Sequence, residues 1–115
     1  MTEQEALQAQ IEQEIFKSQA RLQKDRNDSY WSHVWAAEEE ELCSLCQRLK
    51  EGESREEMLA WLRQRLPQTE QWMRDELDHP TFDWYDEHYH YKRLEGRRNA
   101  YKIMENLLAA PASQE

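Results

Sequence analysis

Apolar residues recur at intervals of three and four along this chain, and the pattern is strongest over residues 79–111. That interval is the α-helical one: side chains so spaced share one face, whereas a half-buried strand alternates every second residue. In this stretch the face is formed by Tyr85, Tyr89, Lys92, Gly96, Ala100, Ile103 and Leu107, and Leu94, Tyr101, Met104 and Leu108 widen it. Pro80 cannot sit inside a helix and biases His79 toward extended backbone, so a preceding helix should stop near Asp78. A new helix then starts, with Thr81 or Asp83 as its cap and Asp83, Asp86 and Glu87 at the positive end of its dipole. Gly96 costs about 1 kcal/mol of helix propensity relative to Ala, and its inward position predicts a close approach by another helix. Pro111 ends the element.

Upstream the same spacing occurs three more times. Over residues 3–24 it runs Leu7, Ile11, Ile15, Ser18 and Leu22 at heptad-like intervals, with Phe16 beside it. A stripe that thin cannot hold an isolated helix, so it needs a partner in the same chain or, as in a coiled coil, in another copy. Residues 25–29 group poor helix formers with good caps, and the apolar register slips by two across them; a turn or hinge is expected there. The stripe resumes over residues 30–49 as Trp31, Trp35, Glu38, Leu42, Leu45 and Leu49, and Glu38 alone interrupts it. Gly52 centres a turn, and Ser54-Arg55-Glu56-Glu57 has the form of a capping box. The next seam, Leu59, Leu62, Leu66, Thr69, Met73 and Leu77, keeps its period across Pro67, which removes an interior hydrogen bond whether the helix kinks or divides. The expected fold is all-α: four helices, or five if Pro67 separates one, in an elongated helical bundle or helical hairpin with an N-terminal helical arm. Residues 1–28 form the arm, 29–111 the bundle domain and 112–115 a tail.

Composition narrows the function classes. At 115 residues the chain has the length of one domain, and its 38% hydrophobic and 34% charged residues suit solvated helices joined by short connections. The opening residues MTEQEALQAQ lack the basic and apolar regions of a secretory signal, and no apolar run approaches a membrane span, so an intracellular, soluble protein is expected. Two cysteines three apart make no secreted disulfide framework. A formal net charge of −9 opposes nucleic acid and acidic membranes in general and favours basic partners.

Several groups of residues carry potential chemistry. Cys43 and Cys46 form a Cys-x-x-Cys, which His33, His79, His88 and His90 might be asked to complete as a zinc site. They lie within a helix between leucines, however, where free cysteine packs as a small hydrophobe. Glu76-x-x-His79 and Glu87-x-x-His90 have the ligand spacing of di-iron bundles, but such a site needs single glutamates from two more helices, and Glu38 is the one inward candidate. No metal or cofactor is therefore expected. Lys92, Arg93, Arg97, Arg98 and Lys102, interleaved with Tyr89, Tyr91 and Tyr101, spread around the helix instead of forming the aligned stripe that tracks phosphates, which argues against nucleic acid. The acidic block at residues 38–41 offers them a simpler role in pairing between helices or subunits. Trp61 and Trp72 are offset from their seam and form a second face. Half-exposed aromatics of this kind anchor protein interfaces. The interaction candidates are Trp61, Trp72, Trp84, Tyr89, Arg93, Arg97 and Arg98, and the partner is a protein or another copy of the chain.

The run Leu94-Glu95-Gly96-Arg97-Arg98-Asn99-Ala100, followed by Ile103, Leu107-Leu108 and Pro111 and preceded by Asp78-His79-Pro80, resembles the closing helix of a group of small bacteriophage-encoded helical proteins. The resemblance covers residues 70–111, and it departs from the group's pattern at Arg98, where an aliphatic residue is usual. Genes for such proteins lie near packaging, portal and head genes. The resemblance implies a non-enzymatic structural or interaction protein with a part in virion assembly or in the particle, located in the host cytoplasm or the virion. A second expectation is an acidic inhibitor seated on a basic surface of a host protein. An enzyme is not expected, since the chain has no Gly-rich phosphate loop, no nucleophile beside a base and no paired acids.

Overall fold

The computed structural model describes residues 2–81 and 88–109. Among these residues there are four helices: α1 (Glu3–Lys24), α2 (Trp31–Lys50), α3 (Arg55–Asp78) and α4 (Tyr89–Ala109). Local chemistry marks most of their ends. The Thr2 hydroxyl accepts the Glu5 N–H at the start of α1. The Asp28 carboxylate accepts the N–H groups of Tyr30 and Trp31, both at 2.8 Å, and so opens α2 from within the expected turn. At α3 the capping box is complete: Ser54 accepts from the Glu57 N–H and Glu57 accepts from the Ser54 N–H.

α4 lies between α2 and α3, while α1 packs along α2 and touches α4 lightly. One core joins all four helices. Leu7 and Ile11 of α1, Leu42, Leu45 and Leu49 of α2, Met58, Leu62 and Leu66 of α3, and Ala100, Tyr101, Met104 and Leu108 of α4 are buried together. Each fully buried aliphatic side chain in such a core contributes about 1.5–3 kcal/mol. The molecule measures 47 × 30 × 24 Å with a radius of gyration of 15.2 Å, against about 13 Å for a compact domain of this length. The bundle is elongated.

Three side-chain devices fasten the helices. Glu38, 1% exposed, accepts hydrogen bonds from Ser18 Oγ at 3.0 Å and Arg21 Nη1 at 2.9 Å, tying α1 to α2. Burial pushes its carboxyl above the ordinary value, against the pull of Ser18 and Arg21. Lys92 is buried; its Nζ donates to the Ser29 carbonyl at 2.9 Å and lies over the Tyr30 ring, fixing α4 to the α1–α2 turn. Arg55 donates to the Leu108 carbonyl at 2.7 Å and the Leu107 carbonyl at 3.2 Å, capping α4, and also to Glu3 at the start of α1.

Some expectations change. Pro67 lies inside a single continuous helix, on its exposed side, where water can serve the carbonyl left without its N–H partner. Thr81 does not open the last helix: its N–H and hydroxyl both donate to Glu76, closing the end of α3. The helix described after it begins at Tyr89. Asp83, Tyr85, Asp86, Glu87 and Pro111 lie outside the described residues. The α3 seam starts at Met58, with Leu59 only half-buried, and Leu77 at its far end is 59% exposed because α3 runs on beyond the shared core. In α2 Trp31 is exposed and stacks on Trp35, whose indole N–H donates to Asp25 at 2.9 Å. Val34 and Ala37 take the inward places, because the backbone of α4 at Gly96 passes too close for anything larger.

Candidate functional site

The C-terminal half of α3 and the N-terminal half of α4 border a cleft of about 360 Å³. On α3 it is lined by Trp72, Asp75 and Glu76, which the helical period places on one face. On α4 Tyr89, Arg93 and Arg97 lie one turn apart, with His90 and Leu94 beside them. Four of the seven residues selected from sequence, Trp72, Tyr89, Arg93 and Arg97, thus meet in one place.

Their positions are set from behind. The Arg93 guanidinium donates to Glu40 and that of Arg97 to Glu41, the latter at 3.1 Å, so α2 holds both arginines against the cleft. The Tyr101 hydroxyl also reaches Glu41, at 3.4 Å. Burial and the Glu41 charge push that phenol up to about 12, against Arg97 and Arg65. Tyr89 is packed edge-on against His33 of α2, with ring centres 5.2 Å apart. On the opposite wall burial raises the Glu76 carboxyl, but the two hydrogen bonds from Thr81 and the nearby His90 outweigh it and leave the group below its ordinary value. The cleft is therefore an aromatic and aliphatic floor ringed by charges that already have partners.

The remaining candidates lie elsewhere. Trp61 sits further along α3, edge-on to Tyr101 at 5.4 Å and covered by the guanidiniums of Arg48 at 4.3 Å and Arg65 at 5.1 Å. Arg65 also lies 5.9 Å from the Trp72 ring and so links Trp61 to the cleft. Arg98 is on another flank of α4, donating to Asn99 Oδ1 at 3.2 Å and close enough for its charge to act on Tyr30. Trp84 lies outside the described residues. Asp75, Glu76, His90 and Leu94 were not singled out as interaction residues; the signal was present in the 72, 75, 76 spacing, which shares a helix face with a selected tryptophan.

Among the described residues no group of three or more His, Cys, Asp or Glu is placed to hold a metal ion. Cys46 is part of the core and Cys43 is exposed, and burial pushes both thiols above their ordinary value. Glu76 is engaged by Thr81, and His79 caps α3 with its backbone N–H, so their spacing does not produce a ligand pair. The second pair includes Glu87, outside the described residues. The basic residues of α4 divide: Lys92 is buried, Arg93 and Arg97 bind α2 glutamates, and Lys102 is exposed. No described helix is long and apolar enough to cross a membrane. Comparison with protein families, with curated proteins and with solved structures found no match for the chain.

Proposed function

We propose that this protein is a non-enzymatic interaction protein and that the α3–α4 cleft receives an apolar side chain of a protein partner. The observation carrying this reading is the meeting of Trp72, Tyr89, Leu94 and the stems of Arg93 and Arg97 on two packed helices. An aromatic floor within a rim of charges that need no new partner is the arrangement of an interface hot spot. The resemblance of residues 70–111 to small phage-encoded helical proteins supports a setting in virion assembly or in the particle, in the host cytoplasm or the virion. The acidic-inhibitor reading has less support, because Glu40 and Glu41, part of the densest acidic run, are engaged by Arg93 and Arg97.

A photo-crosslinking residue at position 72, introduced into the full chain during phage growth, tests the cleft. Attachment to a particle or assembly protein from position 72, and not from exposed Gln64 on the same helix, is the expected result. Crosslinking at both positions alike, or at neither, rejects the cleft as the docking site. Mass spectrometry of purified particles then tests the setting.

A further inference from the structure

We infer that two copies of this chain associate in parallel through the outer face of α1. This surface is separate from the α3–α4 cleft, and the inference does not rest on the reading of that cleft. The inner face of α1 is spent on the fold: Leu7, Ile11 and Ser18 are buried. Directly opposite, Ala6, Ala9, Gln13, Phe16, Ala20 and Gln23 follow one another at spacings of three, four, three, four and three. None is charged, although 34% of the chain is and the side of a surface helix farthest from the core is ordinarily its most charged. Phe16, near the middle of the row, is 70% exposed. Beside it is a shallow concavity of about 390 Å³ lined by Ala9, Glu12, Gln13, Phe16 and Lys17. Four of these, at 9, 12, 13 and 16, are the positions that make the hole for an incoming knob in a heptad seam.

The charges flanking the row name the occupant. One edge carries Glu5, Glu12 and Gln19, and the other Gln10, Lys17 and Lys24. Two parallel copies in register set each Glu12 beside the partner's Lys17, Glu5 beside Gln10, and Gln19 beside Lys24. An antiparallel pair sets the acidic edge on the acidic edge and the lysines on the lysines. The acidic edge also disfavours an anionic membrane. Within one copy Glu12 pairs with Lys50 at 3.5 Å and Lys17 with Glu14 at 3.2 Å. Both pairs are solvated and weakly held, so they exchange readily for contacts across the seam. α1 is at the edge of the molecule, packed chiefly on α2, and is already helical before the copies meet, so association bears no helix-nucleation cost.

Sedimentation equilibrium of the full chain from about 1 μM to 1 mM is expected to show a reversible monomer–dimer transition. Phe16→Glu weakens it at least about tenfold with the helical circular dichroism and thermal midpoint unchanged, because Phe16 is outside the core. Lys17→Glu weakens it as well, and adding Glu12→Lys restores it. With Cys43 replaced by Ser, Ala6→Cys and Ala20→Cys each form a disulfide-linked dimer; an antiparallel pair can align at most one of these positions with itself. A monomer at every concentration, or a dimer indifferent to Phe16→Glu, overturns the inference. Crosslinking at only one cysteine site, or Phe16-dependent binding to anionic vesicles by a chain that stays monomeric, overturns it too. Trp72→Ala, placed in the cleft, leaves the dimer intact.

Discussion

A β-carbon built onto Gly96 falls 2.2 Å from the Val34 carbonyl oxygen, 2.7 Å from Ala37 Cβ and 2.9 Å from the Glu38 nitrogen. Two of those atoms are backbone, so relief requires α2 and α4 to separate along their whole contact. Gly96→Ala gains about 1 kcal/mol of helix propensity but overpacks the crossing. A net loss of about 1–3 kcal/mol in denaturant unfolding is expected. Glu38 gives a second test at this scale. Its carboxyl is raised in the folded protein, so the associated stability is complete below the unfolded value near 4.5 and is lost as pH rises through the higher folded value. Glu38→Gln removes that dependence while still accepting from Ser18 and Arg21. The melting temperature of the variant relative to the native chain should rise between pH 4 and pH 7, and a constant difference would show that Glu38 bears no such penalty.

At the scale of the element, Arg55 is the most economical of the fasteners, since a single guanidinium supplies donors to the last carbonyls of α4 and to Glu3 of α1. Replacing it by Met keeps the stem and removes the donors. Hydrogen exchange in the last turn of α4 should quicken while α2 keeps its protection, because only the carbonyls at that end lose their partners. How far the elements could be read from sequence follows the same local logic. The α3 capping box, the turn at Gly52 and the close approach at Gly96 were legible because each depends on residues a few positions apart or on one missing side chain. The start of α4 was not: Thr81 is equally suited to capping a following helix and to bonding backward, and only the position of Glu76 one turn earlier decides between them. The ends of the seams were also hidden. Leu77 and Trp31 fit the period, yet their burial depends on where the neighbouring helix stops. The cleft was half legible, its aromatic and basic side on α4 more than its acidic wall on α3, because which faces meet depends on α4 lying between α2 and α3.

At the scale of the whole molecule, α1 contributes to the same core as the other three helices through Leu7 and Ile11. Removing residues 1–28 would uncover the α2 surface beneath them, the buried Glu38 included. The shortened chain should bind a hydrophobic dye and lose its cooperative thermal transition; a sharp transition near the native temperature would mean that the remaining helices suffice alone. The elongation of the bundle also separates the cleft from the outer face of α1, since α2 and α4 stand between them, so one copy can engage a second copy and another protein together.

The Arg55 contact has a further consequence. Because one side chain grips both the opening of the first helix and the close of the last, those two points are neighbours in space. A circular permutant that joins them by a short linker and is opened instead between Arg26 and Asn27 should rebuild the same packing, with the order in which the helices are synthesised made incidental to the shape they reach.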